Sequence, residues 1–174
     1  MTYCIHENIK DHNKLSTWIN HQHSLTDKLQ AIHPDIVLKR MSQEWTKPSW
    51  WDTHHLKIYT DALFQREVIL YSQNIAYWYA KTIIPKPCYD LNPAFFNRLE
   101  RESLRNLIFD GQEVHRVHRS AYLINDTCIE FYWVKKYFPQ ITQDLWVRFS
   151  EYSYKELSFY LLEMLFPELG ALEA

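Results

Sequence analysis

Two charged residues stand in apolar stretches of the sequence, where a charge is costly unless it has a partner or a task. Arg66 lies in ALFQREVIL, and Glu163 is the only charged residue in FYLLEMLFP. A guanidinium group that faces inward in such a stretch needs a carboxylate to pair with. A carboxyl group among apolar neighbours is desolvated, which suits it to proton transfer in a pocket. The alternative for each residue is a strand position that points to water.

Histidine spacing does not indicate a metal site. His115 and His118 stand in HRVH, and the pairs His21/His23 and His54/His55 are also close in sequence. On a regular strand His115 and His118 would point to opposite faces, and no H-E-x-x-H or C-x-x-C pattern accompanies them. We therefore expect scattered histidines and no metal ion.

The cysteines and glycines of the sequence argue against disulfides and against a phosphate-binding loop. Cys4, Cys88 and Cys128 are odd in number and far apart, which is typical of free thiols in a reducing compartment. Gly111 and Gly170 are the only glycines in the sequence, so a glycine-rich phosphate loop is excluded. We expect no disulfide framework and no cofactor.

Composition and charge indicate a globular protein with small-molecule ligands. The 174 residues are 47% hydrophobic, which is enough apolar material for a single domain spanning residues 1–174. With 19 basic and 21 acidic side chains and no long charged run, neither a nucleic acid nor an anionic membrane is an expected partner. The N-terminal MTYCIHENIK has charges where a secretory signal requires an apolar run, and no stretch approaches a membrane span. We expect a cytoplasmic monomer.

Helical periodicity and capping residues predict four helices. In the first, Leu15, Trp18 and Ile19 recur at helical spacing. The second begins at Ser24, whose hydroxyl group can accept the backbone N–H of Asp27. That second helix is expected to end near His33-Pro34. A third helix is predicted from Asn92-Pro93 to about Leu99, and a fourth from Ser103 to Phe109.

Extended segments outnumber the crossover helices that a parallel sheet requires. The predicted strands are Ile36 to Met41, Ile58 to Tyr71, Ala76 to Ile84, Val114 to Ile124, Leu145 to Tyr154 and Leu157 to Leu165. Turns at Ser72-Gln73-Asn74 and Lys155-Glu156 join two pairs of them as hairpins. An aromatic linker is expected around Trp50-Trp51, and residues 125–144 remain unassigned. The predicted fold is α+β, an antiparallel sheet with helices covering one face.

Four segments in order resemble the chorismate lyase family, also called chorismate pyruvate-lyase, whose members make 4-hydroxybenzoate for ubiquinone synthesis. The segments are HSLTDKL (23–29), REVILYSQNIAYWYAKTIIP (66–85), SLRNLIFDGQEVHR (103–116) and LWVRFSEYSYKELSFYLLEMLFP (145–167). The resemblance implies an internal ligand cavity under helical flaps. It also implies conversion of chorismate to 4-hydroxybenzoate and pyruvate without a cofactor, with slow product release through the flaps.

The resemblance assigns roles to particular residues. Arg66 would pair with the ring carboxylate, helped by the backbone at Leu104, and Leu25 would close the cavity from its capped helix. Glu163 would reach the 4-hydroxyl end and carry a proton. The candidates for the enolpyruvyl carboxylate are Lys81, Arg116 and Arg148.

Departures from the family pattern keep other functions open. Arg105 stands where the family suggests glycine, and residues 120–144 are longer than the family's connection. One alternative is a non-catalytic aromatic-acid-binding domain, because the same fold serves as the effector-binding domain of some transcription regulators. Those regulators carry an N-terminal DNA-binding module, for which we expect no room here. Another alternative is an interaction protein that uses Trp50 and Trp51.

Overall fold

An antiparallel sheet organises the fold. The computed structural model describes residues 14–110 and 113–173. Six strands of that part of the chain form one sheet in the order β1-β2-β3-β6-β5-β4. Their bounds are β1 Val37–Thr46, β2 Leu63–Ser72, β3 Ile75–Pro85, β4 Val114–Ile124, β5 Leu145–Tyr154 and β6 Leu157–Leu165. Every neighbouring pair is antiparallel, which confirms the predicted α+β class and antiparallel sheet.

Two tight turns fix the central hairpins. Gln73 and Asn74 join β2 to β3 with φ angles of 49° and 66°, and Lys155 and Glu156 join β5 to β6 with φ angles of 47° and 69°. Paired left-handed residues match the twist of the flanking strands, although side chains other than Gly, Asn and Asp adopt this conformation at some cost. Both predicted hairpins are confirmed.

Helices lie between and after the strands. They are α1 Ser16–Ile19, α2 Leu25–Ile32, α3 Trp50–His55, α4 Lys86–Asp90, α5 Pro93–Asn97, α6 Leu104–Asp110 and α7 Ile129–Lys135, with 3₁₀ turns at Arg98–Glu100 and Pro167–Glu173. The predicted caps are confirmed. Ser24 accepts the backbone N–H of Asp27 at 3.2 Å, and Asn92 accepts that of Phe95 at 3.1 Å. No helix in the described ranges is long and apolar enough to cross a membrane.

One face of the sheet, here called the cavity face, is covered by two groups of helices. At one end α1 and α2 bury Trp18, Leu25 and Leu29 against sheet residues such as Leu70 and Trp78. At the other end α4, α5 and α6 form a second apolar cluster with strand residues, including Tyr89, Phe96, Leu107, Phe64, Ile84 and Phe159. Because the two clusters cover opposite ends, a gap remains between them over the middle strands.

The other face carries a helical layer that the sequence did not indicate. Trp51 of α3 and Phe131 of α7 pack there with Ile69, Tyr79 and Leu162 of the sheet. The expected linker at Trp50-Trp51 is therefore wrong, since these residues begin α3. Helix α7 lies in the segment that could not be assigned. Helices thus cover both faces of the sheet rather than one.

Two strand boundaries differ from the prediction, and one helix is additional. The strand expected from Ile58 begins at Leu63, and helix α4, for which no prediction was made, follows Pro85 directly. The first strand extends to Thr46, with an irregular register between Arg40 and Ser42.

Candidate functional site

A cavity of about 420 Å³ lies on the cavity face between the two helix groups. Strands β2, β3, β5 and β6 form its floor, and the beginnings of α2 and α6 form part of its roof. The four residues to which the family resemblance assigned ligand contacts, Leu25, Arg66, Leu104 and Glu163, all line it. They come from four different elements, so the fold brings together residues as far apart in sequence as 25 and 163.

Arg66 is a buried cation without a carboxylate partner. Its side chain is on β2, and the residue is only 4% exposed. Nη2 donates to the backbone carbonyl of Glu102 at 3.3 Å, and Nε is buried without a hydrogen-bond partner. No carboxylate among the described residues forms an ion pair with it. Burial, together with the positive charge of Arg40, lowers the pKa of Arg66 to about 10. An anionic ligand would supply the missing partner.

Glu163 is not the isolated carboxyl group that its apolar sequence neighbours suggested. On β6 it lies between Ala80 of β3 and Arg148 of β5. The residue is 8% exposed, and Oε2 is 3.6 Å from Nη1 of Arg148. This pairing could have been derived from the sequence, because a two-residue turn at Lys155-Glu156 fixes the register that sets residue 148 opposite residue 163.

Leu25 and Leu104 are the first residues of their helices and form the roof. Both are buried. The backbone N–H of Leu104, in the first turn of α6, has no acceptor within its own helix. The two helices are also joined by an ion pair: Nε of Arg105 on α6 is 2.5 Å from Oδ1 of Asp27 on α2. Arg105, the departure from the family pattern, therefore connects the two halves of the roof.

The three basic residues that were candidates for the enolpyruvyl carboxylate do not all lie in the cavity. Arg116 and Arg148 line the cavity. Lys81 does not, because its side chain is on the opposite face, where Nζ is 3.6 Å from Glu67 and 4.2 Å from the ring centre of Trp133. Lys81 is therefore rejected as a cavity residue. Its position on β3 next to Ala80, which faces the cavity, already implies the opposite face through strand alternation.

Tyr152 is a cavity residue that the sequence analysis missed. It lies on β5 in the same alternating row as Arg148 and Ser150, and this period-two row was the available signal. Burial, together with the negative charge of Glu163, raises the pKa of Tyr152. Its hydroxyl group is thus a neutral hydrogen-bonding group in the cavity at physiological pH.

Histidine geometry differs from the expectation in one respect. A bulge between Arg116 and His118 sets His115 opposite Ser153 and His118 opposite Glu151, so the two imidazoles share a face of β4. Even so, no group of three or more His, Cys, Asp or Glu side chains in the described ranges could hold a metal ion.

Both cysteines in the described part of the chain are free thiols. Burial raises the pKa of Cys88 to about 12, so its thiol is not a reactive nucleophile. Cys4 and Gly111 lie outside the described residues.

Solved structures with a similar fold come from bacterial transcription regulators. A GntR-family transcriptional regulator from Enterococcus faecalis V583 aligns with a TM-score of 0.56 and 14% identity over 76% of this chain and 94% of its own. The effector domain of PhnF from Mycobacterium smegmatis has a TM-score of 0.56 and 9% identity over 84% and 90% of the two chains. At these identities the likeness shows the fold alone.

Sequence comparison identifies the family. No curated protein matches the sequence. Residues 5–168 match the sequence profile of the chorismate lyase family, which covers nearly the whole of the 174 residues. Since the four segments that carried the resemblance lie inside this range and form the sheet and roof of one cavity, the chain belongs to the chorismate lyase family.

Proposed function

We propose that this protein cleaves chorismate to 4-hydroxybenzoate and pyruvate. The observation that carries the proposal is the meeting of Leu25, Arg66, Leu104 and Glu163 in one cavity of a chorismate lyase family member. Each residue type suits one part of the ligand: a buried guanidinium for a carboxylate, apolar roof residues for a flat ring, and a carboxyl group for proton transfer.

The ring carboxylate binds Arg66. A buried guanidinium without a carboxylate partner is unfavourable in the empty protein, and a bound carboxylate accepts two parallel hydrogen bonds from its planar fork. The backbone N–H of Leu104, which has no acceptor within its own helix, provides a further donor for the same anion. Leu25 closes over the ring from α2 and excludes water from the cavity.

The reaction needs little chemical help from the protein. The C4–H bond loses its proton, and its electron pair enters the ring. The C3–O bond breaks, its electron pair leaves with enolpyruvate, and enolpyruvate takes up a proton at its methylene carbon to become pyruvate. One proton is released and one is taken up, and no oxidant or reductant is required. Because the ring becomes aromatic, a positioned proton carrier and a dry cavity are sufficient.

Glu163 is the proton carrier in this proposal. Its carboxyl group faces the cavity, 3.6 Å from the guanidinium group of Arg148, and accepts the C4 proton. The same group returns a proton to the departing enolpyruvate. Loss of a general acid–base group typically slows such a step by about 10²–10⁴-fold.

The substitution Glu163→Gln tests this role. Pyruvate release from chorismate is expected to fall by about 10²–10⁴-fold, while calorimetric binding of 4-hydroxybenzoate changes by only a few-fold. Glu151→Gln is the matched control, because Glu151 is on the same hairpin but accepts a hydrogen bond from Ser158 at 2.6 Å outside the cavity. Full turnover in Glu163→Gln would remove Glu163 from the mechanism.

A second function is a non-catalytic aromatic-acid binder. It is favoured by the structural neighbours, which are transcription regulators and include one effector domain. The same cavity would then hold an aromatic acid at Arg66 without turnover. Saturable binding of 4-hydroxybenzoate with no pyruvate formed from chorismate would establish the binder.

A further inference from the structure

The cavity carries more positive charge than one ring carboxylate requires. The charged residues of its lining are four arginines, Arg66, Arg105, Arg116 and Arg148, and one carboxylate, Glu163. Arg105 pairs with Asp27, which is outside the lining, and Arg148 pairs with Glu163. Arg66 and Arg116 have no ion pair with any described carboxylate. Within the described residues, the lining is therefore left with two positive charges that no carboxylate compensates, which matches a dianion.

The second positive centre lies between β4 and β5. Arg148 is 2% exposed, and its Nη2 donates to the backbone carbonyls of His21 and His23 at 3.1 and 3.5 Å. Its Nε and Nη1 are buried and have no hydrogen-bond partner. Arg116 is exposed at the mouth, where its Nη2 donates to the carbonyl of Gln22 at 2.5 Å. Buried donors without acceptors are unfavourable, so the site favours an anionic acceptor.

The two positive centres are on strands that are well separated in the sheet. Arg66 is on β2 and Arg148 is on β5, with β3 and β6 between them. Three strand spacings amount to about 14 Å between the two backbones. A ligand with two anionic groups can place one at each centre, with its body over β3 and β6, where Glu163 lies.

We propose that Arg148 and Arg116 form the subsite for the second carboxylate of a dicarboxylate substrate. This inference rests on the proposed function and assigns the enolpyruvyl carboxylate of chorismate to that subsite, with the ring carboxylate at Arg66. The ether bond that breaks then lies between the two anchors, within the region of Glu163. 4-Hydroxybenzoate, with one carboxylate, occupies only the Arg66 end.

A purely structural role for these arginines makes a different prediction. Arg116 and Arg148 donate to carbonyls of the segment 19–23, which leads into α2. Arg119 does the same, donating to the carbonyl of Ile19, but it does not line the cavity. Arg119→Gln therefore removes a contact with the segment and leaves the subsite unchanged, which makes it the matched control.

The test compares a dianion with a monoanion. In Arg116→Gln we expect the KM for chorismate to rise at least tenfold, about 1.4 kcal/mol, while the Kd of 4-hydroxybenzoate changes less than twofold. Arg148→Lys retains the charge beside Glu163 but loses the guanidinium fork, and we expect the same split. Arg119→Gln is expected to alter neither constant by more than twofold. Equal losses for both ligands, or an equal loss in Arg119→Gln, would overturn the subsite.

Failure of the proposed function is distinguishable from failure of this inference. If the wild-type protein releases no pyruvate, the lyase proposal fails, and calorimetry with chorismate still tests the subsite. The Kd of chorismate is then expected to rise at least tenfold in Arg116→Gln, while the Kd of 4-hydroxybenzoate changes less than twofold. Equal changes for both ligands, or a wild-type protein that does not bind chorismate, would contradict the subsite.

Discussion

The buried charge of Arg66 is unfavourable for the stability of the ligand-free fold but favourable for binding a carboxylate. The sequence could place it in an apolar strand but left open whether it faced water, and only the family resemblance favoured the inward orientation. In the structure, burial and the charge of Arg40 lower its pKa to about 10, which reflects the cost of keeping the guanidinium charged without a carboxylate partner. The same missing partner makes it the proposed anchor for a carboxylate.

Replacing Arg66 with methionine should separate these two effects. We expect the free energy of unfolding of the ligand-free protein to rise by about 1 kcal/mol, because an unpaired buried charge is replaced by an apolar side chain of similar length. Affinity for 4-hydroxybenzoate is expected to fall at least 100-fold. Urea denaturation and calorimetry measure the two quantities. Arg40→Met, at an exposed neighbour, should change neither greatly, and a destabilised Arg66→Met that still binds the ligand would contradict the account.

Elements were predictable where the sequence carried a specific local signal. Ser24 and the Lys155-Glu156 turn gave α2 and the β5–β6 hairpin. The start of α3 has the same kind of signal, since Ser49 and Asp52 form a reciprocal capping box, but the adjacent tryptophans led to its interpretation as a linker. Helix α7 was harder to predict, because the side chain of its N-cap residue Cys128 makes no capping hydrogen bond to the helix. In addition, IEFYWVK is rich in residues that also favour strands.

The ion pair between α2 and α6 is expected to slow product release. Asp27 and Arg105 are each 42% exposed, so solvent limits their contribution to roughly 0.2–1 kcal/mol. Asp27→Asn should therefore speed dissociation of 4-hydroxybenzoate by up to about fivefold in a stopped-flow experiment. High salt should have a similar effect on the wild-type protein and little effect on the variant. Unchanged dissociation in Asp27→Asn would show that the roof opens without breaking this pair.

A second polar cluster attaches the segment after α7 to the sheet. Burial alone would raise the pKa of Glu67, but a hydrogen bond from Tyr137 at 2.5 Å and the charges of Lys81 and Lys136 hold it below its usual value. A carboxyl group with a lowered pKa in the folded state stabilises the fold above its unfolded pKa, near 4.5, and this contribution is lost as the pH falls through the folded value.

Glu67→Gln is therefore expected to flatten the acid dependence of stability. Urea denaturation at a series of pH values from about 6 down to 3 should show a steeper loss of unfolding free energy in the wild-type protein than in the variant. Glu156→Gln, in an exposed turn, is the control and should retain the steep loss. If the unfolding free energy fell equally steeply with pH in Glu67→Gln and in the wild-type protein, Glu67 would have the same proton affinity in the folded and unfolded states.

At the scale of the whole molecule, the sequence predicted the fold class better than the cavity. Strand and turn patterns are local, so the antiparallel sheet could be derived from them. The cavity could not be derived from local patterns. It depends on where α1–α2 and α4–α6 pack on the same face of the sheet, and on the gap that remains between them. The family resemblance supplied the cavity. The second helical layer was missed because the α3 segment was interpreted as a linker and α7 lies in the unassigned segment.

Ligand binding should stabilise the whole fold through the cavity. Because the unfolded chain has no binding site, 4-hydroxybenzoate at about 100 times its Kd is expected to raise the free energy of unfolding by about 2.7 kcal/mol. In Arg66→Met at the same ligand concentration the increase should be no more than about 0.4 kcal/mol, because the affinity is at least 100-fold lower. Thermal or urea denaturation with and without ligand measures this, and an equal increase in both proteins would place the ligand elsewhere.

The most direct measurement is the reaction itself. Purified, EDTA-treated wild-type protein is incubated with chorismate, and pyruvate and 4-hydroxybenzoate are quantified together over time, with Glu163→Gln in parallel. The account predicts equimolar formation of both products by the wild-type protein and little of either by the variant. No product from the wild-type protein, or equal rates in the two proteins, would contradict a lyase in which Glu163 carries the proton.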